Sequence, residues 1–260
     1  KRVPSGSANT PSNSINGVDA VDTGGGVAGT LLFAVGAVGA IWKSTNGGTT
    51  WAPDPDTGIV TSALLDISCR SSTSCLAVGA NNTVLTWNSA NWVVTSTGGA
   101  RTWRAVAAWT FGGTNRAVAV GTTGGLQTQT GSTWTARPDI NAAVDFRGVA
   151  NKSDGAGVVI AVGSTGAIYK STDFGVTFTP RTSGTTFTLE DVVNVVGTST
   201  WYAVGAAGMA LKSTDDGETW APLLTNTVDS INTVCTGSNT SRVWLGSSSG
   251  TVLFSATGGF

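Results

Sequence analysis

The sequence predicts an all-β protein, a six-bladed β-propeller with four antiparallel strands in each blade. A unit of about 42 residues recurs six times, because Ala-Val-Gly begins at residues 34, 77, 119, 161 and 203 and a related Trp-Leu-Gly begins at 244. Each unit consists of short runs of β-forming residues separated by Gly, Ser, Thr and Asn. No segment shows the sustained apolar period of 3.6 residues that indicates a helix. Four strands in 40–45 residues is the size of a propeller blade.

The repeats divide nearly all of the 260 residues into blades at 15–58, 59–98, 99–140, 141–183, 184–225, and 226–260 together with 1–6. The last blade lacks a fourth strand at its C-terminal end. We therefore expect Lys1–Pro4 to pair beside Thr251–Phe254 and close the ring, which would hide strand edges that otherwise promote aggregation. The alternative is that the chain is a fragment of a longer propeller with a seventh blade.

The fifth unit shows the expected strands. They are Leu189–Val196, Trp201–Val204, Met209–Lys212 and a fourth strand that opens at Trp220. Between the second and third strands, four units carry two glycines three residues apart, and hairpin turns of this kind require positive φ. These pairs are Gly36/Gly39, Gly121/Gly124, Gly163/Gly166 and Gly205/Gly208.

Two units depart from this turn pattern. In the second unit Asn82 replaces the later glycine, and Asn is the next-best residue for the left-handed conformation. In the sixth unit the glycines are Gly246 and Gly250, one residue wider, so a different turn is expected there.

Three units carry a similar polar loop before an aromatic residue: STNGGTTW (44–51), STDFGVTF (171–178) and STDDGETW (213–220). A short carboxylate or amide in such a loop can accept hydrogen bonds from nearby backbone N–H groups. The glycine permits positive φ, and the aromatic residue fills the base of the blade. These roles fall to Asn46, Asp173 and Asp215; to Gly48, Gly175 and Gly217; and to Trp51, Phe178 and Trp220.

The polar loop resembles the Asp-box, Ser-x-Asp-x-Gly-x-Thr-Trp, of sialidases, sortilin-type receptors and the photosystem II assembly-factor family. The last of these families implies a propeller without chemistry that docks on membrane-protein complexes from the lumenal or periplasmic side. Those propellers have seven blades and an arginine-rich face, whereas this chain has six units and scattered arginines. The resemblance therefore implies a non-catalytic docking module, without naming the photosystem as its partner.

Composition limits the possible functions. The net charge is −1 and charged residues make up 11% of the chain, so nothing indicates a nucleic-acid partner, which would require Lys and Arg at phosphates. No apolar run reaches the length of a membrane span. A surface rich in Thr, Ser, Asn and Gly suggests an extracytoplasmic protein, periplasmic, cell-surface or secreted, of bacterial origin. Since residue 1 is Lys, a leader or anchor can have preceded it.

The cysteines agree with export. Cys69 and Cys75 flank a predicted hairpin and should face each other closely enough to form a disulfide. The alternative is two buried thiols. Cys235 has no partner at the opposite strand position and is expected to be a buried free thiol.

Chemistry is not expected. There is no histidine, which excludes His-based triads, and the loop carboxylates lie one per blade without EF-hand spacing, so we expect no metal and no cofactor. Tyr169 and Tyr202 occupy ordinary strand positions, unlike the tyrosine nucleophile of a sialidase. A glycoside hydrolase with paired carboxylates stays open as a lesser alternative. The acidic residues near inner-strand positions are Asp19, Asp22, Asp66, Asp145, Glu190, Asp191 and Asp229.

Ten tryptophans suggest either an aromatic binding surface or interior packing. The candidate patch for a protein partner or a glycan consists of Trp87, Trp103, Trp109 and Phe111 on blades 2 and 3. The alternative is that these rings fill a gap between blades whose polar loops have eroded. We interpret the chain as a scaffold or accessory subunit that binds a protein partner in an envelope or extracellular assembly. A lectin-like propeller is the second hypothesis.

Overall fold

The computed structural model describes residues 14–21, 30–96, 98–152, 154–237 and 242–257. The fold is a six-bladed β-propeller built from four antiparallel strands per blade, as predicted. Five sheets show all four strands, in the order in which they follow along the chain, and the described part of the sixth shows three.

The strands recur in four sets. The first strands of the blades are Ile15–Val21 (β1), Leu64–Ser71 (β5), Trp103–Phe111 (β9), Phe146–Asn151 (β13), Leu189–Asn194 (β17) and Ile231–Thr236 (β21). The second strands are Leu31–Gly36 (β2), Ser74–Gly79 (β6), Thr114–Gly121 (β10), Val159–Gly163 (β14), Trp201–Gly205 (β18) and Val243–Ser247 (β22). The third strands are Ile41–Ser44 (β3), Val84–Trp87 (β7), Leu126–Thr130 (β11), Ile168–Ser171 (β15), Ala210–Ser213 (β19) and Val252–Ser255 (β23). The fourth strands are Ala52–Pro53 (β4), Trp92–Ser96 (β8), Thr133–Ala136 (β12), Thr179–Arg181 (β16) and Ala221–Pro222 (β20).

The chain forms two compact units, residues 1–110 and residues 111–260. In the first unit, the core between blades 1 and 2 contains Phe33, Trp87 and Trp92, whose ring centroids lie 5.1–5.7 Å apart. In the second unit, Ile160 and Trp201 belong to the core between blades 4 and 5. The second strands β14 and β18 are buried at every position, which explains why their sequences are continuously apolar rather than alternating.

The turn between the second and third strands differs in detail from the expectation. The later glycine has positive φ, as at Gly39 (φ 65°), and the residue before it does too, as at Val38 (φ 56°). The first glycine is extended instead, with φ −165° at Gly36. It is required for space, because a Cβ on Gly36 would lie 2.0 Å from the carbonyl oxygen of Ser14. The expectation for Asn82 is confirmed, since its φ is 59°.

The sixth blade corrects the sequence alignment. Ser247 pairs with Ile231, the position that Gly36 occupies opposite Ile15 in the first blade. The equivalent of Ala-Val-Gly is therefore Leu245-Gly246-Ser247, not 244–246, and the spacing from Ser247 to Gly250 is the ordinary one. The expectation of a wider turn was wrong, because a serine in place of the first glycine moved the apparent motif by one residue.

Lys1–Pro4 and Phe260 lie outside the described residues, so ring closure stays a prediction. Within the described residues, no helix is long and apolar enough to cross a membrane. The described helical turns are three-residue 3-10 segments between second and third strands, at Ala37–Gly39, Thr122–Gly124, Ser164–Gly166 and Ala206–Gly208.

Cys69 and Cys75 are joined by a disulfide and lie directly opposite each other on β5 and β6. Cys235 is exposed, which corrects the expectation of a buried thiol. Its position on β21 lies between Val234, which is buried, and Thr236, so the alternation of the strand turns it outward.

Removing the disulfide with Cys69→Ala/Cys75→Ala should lower the free energy of unfolding by about 2 kcal/mol, because the bond closes a short loop in the unfolded chain. Urea unfolding under non-reducing conditions measures this. The control is Cys235→Ala, which should leave the midpoint unchanged. An equal midpoint for the double variant and the parent would contradict the prediction.

Candidate functional site

The polar loop of blade 5 is held by its own side chains. Ser213 Oγ donates to Asp215 Oδ1 at 2.7 Å and accepts from the N–H of Gly217 at 2.9 Å. Asp215 also accepts from the N–H of Thr219 at 3.0 Å and from its hydroxyl. These hydrogen bonds, led by that of the Thr219 hydroxyl, lower the pKa of Asp215 to about 2. The carboxylate therefore fixes the loop and is not available as a proton donor at neutral pH.

The loops of blades 4 and 1 repeat this arrangement. Asp173 accepts from the N–H of Thr177 at 2.9 Å and from its hydroxyl at 2.6 Å. Burial alone would raise the pKa of Asp173, but the bonds from Thr177 and Ser171 lower it overall. In blade 1, Asn46 Oδ1 accepts from the N–H of Thr50 at 2.9 Å, so an amide oxygen replaces the carboxylate as the acceptor.

The glycine and the aromatic residue of each polar loop also have defined contacts. A Cβ on Gly175 would lie 2.3 Å from Val118 on the preceding blade, and one on Gly217 would lie 2.2 Å from Ile160. Trp51 is buried, whereas Phe178 and Trp220 are partly exposed, and the indole N–H of Trp220 donates to the carbonyl of Gly217. In blades 4 and 5 the glycine thus lets the loop pack closely against the preceding blade, whereas a Cβ on Gly48 of blade 1 would lie no closer than 3.8 Å to its neighbours.

One position in these loops carries three different residues in a left-handed conformation. It lies between the Asn or Asp and the glycine, and its occupants are Gly47 (φ 67°), Phe174 (φ 63°) and Asp216 (φ 60°). In blade 5, Asp216 binds the Lys152 ammonium of the preceding blade at 2.7 Å. Phe174 reaches the same part of the preceding blade with an aromatic ring. Both side chains therefore connect neighbouring blades.

Phe174, Phe111 and Arg116 form what we call the aromatic surface. The rings of Phe111 and Phe174 are stacked with centroids 5.6 Å apart, and the Arg116 guanidinium carbon lies 4.0 Å from the Phe174 centroid. Phe111 packs against Gly155, where a Cβ would be 2.1 Å from its ring. Unlike Lys152, which is 9% exposed, Phe111 remains 42% exposed. Packing between blades therefore does not account for all of its surface.

The structure corrects the predicted patch. Trp87 and Trp103 are each only 4% exposed, so neither presents a ring to solvent. Trp87 packs in the core with Phe33, and Trp103 donates its indole N–H to Asn82 Oδ1 at 2.8 Å. Trp109 is partly exposed, and Phe111 is exposed. Both rings are thus buried by packing, but Trp87 lies in the core between blades 1 and 2 rather than in the expected gap between blades 2 and 3.

Phe174 and Arg116 were not predicted as site residues from the sequence. Phe174 lies in a polar loop whose other residues were expected to be structural, at the position that Gly47 and Asp216 occupy in the other two loops. The one signal in the sequence was an aromatic residue where those loops have glycine or aspartate. Arg116 appeared as one of several scattered arginines.

The acidic residues near the first strands are engaged in structure. Asp66 Oδ2 accepts from the N–H of Val106 at 2.8 Å, and Asp191 Oδ2 accepts from the N–H of Val234 at 2.9 Å, so both bridge successive first strands. Asp19 similarly accepts from the N–H of Cys69. The remaining acidic residues bind as follows: Asp145 to the N–H of Thr123, Glu190 to Arg147 and Asp229 to Ser249, while Asp22 lies outside the described residues.

The two tyrosines, like the described acidic residues, are engaged in contacts within the fold. In the described ranges no three His, Cys, Asp or Glu side chains gather as metal ligands. The Tyr202 side chain is buried, and Tyr169 accepts a hydrogen bond from Asn141 beside the core residue Phe146.

No protein-family model and no curated protein matches the chain. Solved structures do match. YCF48 from Cyanidioschyzon merolae is 15% identical with a TM-score of 0.70, over 100% of this chain and 86% of that one. A structure described as YCF48 bound to D1 peptide is 16% identical with a TM-score of 0.68, over 94% and 79%. The WD40 repeats of RRP9 are 12% identical with a TM-score of 0.70, over 95% and 77%.

This likeness shows the propeller fold alone. At such identities the function does not follow from the fold. The assignment of the three polar loops to the Asp-box stays a prediction, although their hydrogen bonds are those expected from the residues.

Asp191 should make stability depend on pH. Burial raises the pKa of Asp191 to about 6 despite hydrogen bonds from Val234, Val192 and Thr233. A carboxyl group whose pKa is higher in the folded than in the unfolded chain favours the folded state most below the unfolded pKa, near 4. This contribution is lost as pH rises through about 6.

We therefore expect the free energy of unfolding to decline between pH 4 and pH 6 more steeply in the parent protein than in Asp191→Asn. Urea titrations at half-unit pH intervals test this. Asp229→Asn, which alters a carboxylate bound at the surface to Ser249, is the matched control. Parallel curves for the parent and Asp191→Asn would show the prediction to be wrong.

Asp215 supports a second comparison, because blade 1 uses an amide at the same place. Asp215→Asn should retain most of the loop's stability, whereas Asp215→Ala should cost about 1 kcal/mol more by leaving the N–H of Thr219 without its acceptor. Thermal unfolding at pH 7 measures both. The parent protein should lose the stability that the Asp215 carboxylate contributes as pH falls from about 4 to 2, because Asp215 is then protonated. Asp215→Asn has no such carboxylate and should not lose stability for this reason. Equal losses for Asn and Ala would contradict the assigned role.

Proposed function

We propose that the protein is a non-catalytic, extracytoplasmic propeller that docks a protein partner through the aromatic surface. One observation carries the proposal. Phe174 occupies a left-handed backbone position at which blade 1 has glycine, and it stacks there on a second phenylalanine that is 42% exposed. A non-glycine residue in this conformation costs about 1 kcal/mol or more, and such strain often marks a functional position.

The composition of the aromatic surface fits protein recognition. Aromatic residues and arginine dominate the energetically important positions of protein interfaces. The Arg116 guanidinium lies over the Phe174 ring, and Phe111 stacks with the same ring. The contact to Gly155 holds Phe111 in place, so little side-chain freedom would be lost on binding.

Two further observations support an extracytoplasmic location and a protein partner. The Cys69–Cys75 disulfide is typical of oxidising, extracytoplasmic compartments. The YCF48 propeller, similar in fold, has been solved with a D1 peptide, so propellers of this shape do present surfaces to protein segments. The engagement of the first-strand carboxylates in backbone hydrogen bonds argues against the glycoside hydrolase alternative.

The test combines native mass with two variants. Protein extracted gently from its source should migrate with a much larger assembly. Phe111→Ala and Phe174→Gly should each reduce that association about tenfold or more. Phe174→Gly should leave thermal stability nearly unchanged, because relief of backbone strain offsets the lost ring contacts.

Val196→Ala provides the control, since Val196 is 49% exposed in the first hairpin of blade 5 and lies outside the aromatic surface. It should keep full association. A lone 26 kDa particle, or variants that associate as well as the parent, would refute the docking proposal.

A further inference from the structure

A groove of 760 Å³ lies in blades 4 and 5, at the end of the sheets opposite to the polar loops. Its walls come from the turn after β14 and from the segment that connects β16 to β17. Tyr169, Met209 and the 49%-exposed Phe187 supply apolar surface. A volume in the range of about 300–1,000 Å³ is that of a small-ligand site.

The groove carries no charge that is available to a ligand. Its one charged side chain, Arg181, binds Glu218 through Nε at 2.8 Å and through Nη2 at 3.3 Å. Nη1 of the same guanidinium donates to Thr179 Oγ1 at 2.8 Å and to the carbonyl of Pro180. An anionic ligand would have to displace Glu218, and a cationic ligand would find no carboxylate in the lining. The electrostatics therefore favour an uncharged ligand.

Hydroxyl groups line the groove and have hydrogen-bonding capacity to spare. The Tyr169 hydroxyl accepts from Asn141 Nδ2 at 2.9 Å and donates to no acceptor within the described ranges. Thr182 and Thr186 are exposed, and among the described residues their hydroxyls have no partner. A ligand with many hydroxyls could satisfy these groups while its apolar faces lie on Tyr169 and Phe187.

We propose that this groove binds a neutral saccharide. The proposal is independent of protein docking at the aromatic surface, which lies at the other end of the blades. Aromatic rings beside unpaired hydroxyls, without a free charge, match the alternating apolar and hydroxylated faces of a sugar ring. A peptide would leave most of these hydroxyls to water.

The test is NMR titration of the ¹⁵N-labelled chain with neutral β-glucan, mannan and chitin oligosaccharides, and with sialylated and uronic-acid oligosaccharides. At millimolar concentration a neutral sugar should shift the amide resonances of Ala167, Gly184 and Phe187. Phe187→Ala should weaken binding about tenfold by removing a stacking face. Tyr169→Phe keeps the ring, loses the hydroxyl and should weaken binding severalfold.

Leu224→Ala is the matched control, because Leu224 is 78% exposed on the next connecting segment and does not line the groove. It should bind sugar as the parent does, and every variant should remain folded at the temperature of the titration. Three outcomes would overturn the proposal: no shifts with any neutral sugar, binding of acidic sugars at least as tight, or binding of an uncharged peptide library at these amides without sugar binding.

Discussion

The close approach of first strands in successive blades is the constraint on which the other features depend. A Cβ on Gly17 would lie 3.0 Å from Asp66 Cα, and one on Gly148 would lie 2.9 Å from Asp191 Cα. Backbones this near leave room for an aspartate whose carboxylate reaches the N–H of the following first strand. The blades are therefore joined by buried hydrogen bonds as well as apolar contact, and carboxylates that suggest catalysis in the sequence serve as connectors.

The polar loops show how one backbone geometry supports different contacts between blades. In blades 4 and 5, Ser and Asp side chains fix the loop and glycine lets it touch the preceding blade, so the left-handed residue between the Asp and the glycine is directed at that blade. Asp216 forms an ion pair with Lys152 there, and Phe174 forms a stack with Phe111. Only the second arrangement leaves a hydrophobic residue substantially exposed. The same backbone position thus supports an ion pair in one blade and an aromatic stack in another.

The sequence predicted the features that are local and repeated. It did not predict features that depend on contacts between neighbouring blades. The period, the strand order, the left-handed Asn82 and the loop hydrogen bonds all follow from residue types at fixed spacing. The burial of Trp87 depends on Phe33, 54 positions earlier, and no local pattern reveals that contact. The sixth repeat was displaced by one residue because Ser247 replaced a glycine that serves spacing rather than φ. The lining of the groove and the contact between Phe174 and Phe111 likewise bring together segments that are far apart in the sequence.

The Gly–Asp contacts between first strands also imply that the blades have a specified order. The equivalent positions along the chain are Gly17, Asp66, Ala105, Gly148, Asp191 and Thr233, as the strand registers and the Asp66–Val106 bond place them. Glycine precedes aspartate twice, at an interval of three blades, so the chain behaves as two related triplets. Blades 1 and 4 thus each carry a glycine that fits the aspartate of the following blade. Exchanging corresponding members of the triplets would preserve both matches, whereas exchanging blades 1 and 2, or blades 4 and 5, would set an aspartate side chain where the contact leaves no room for it.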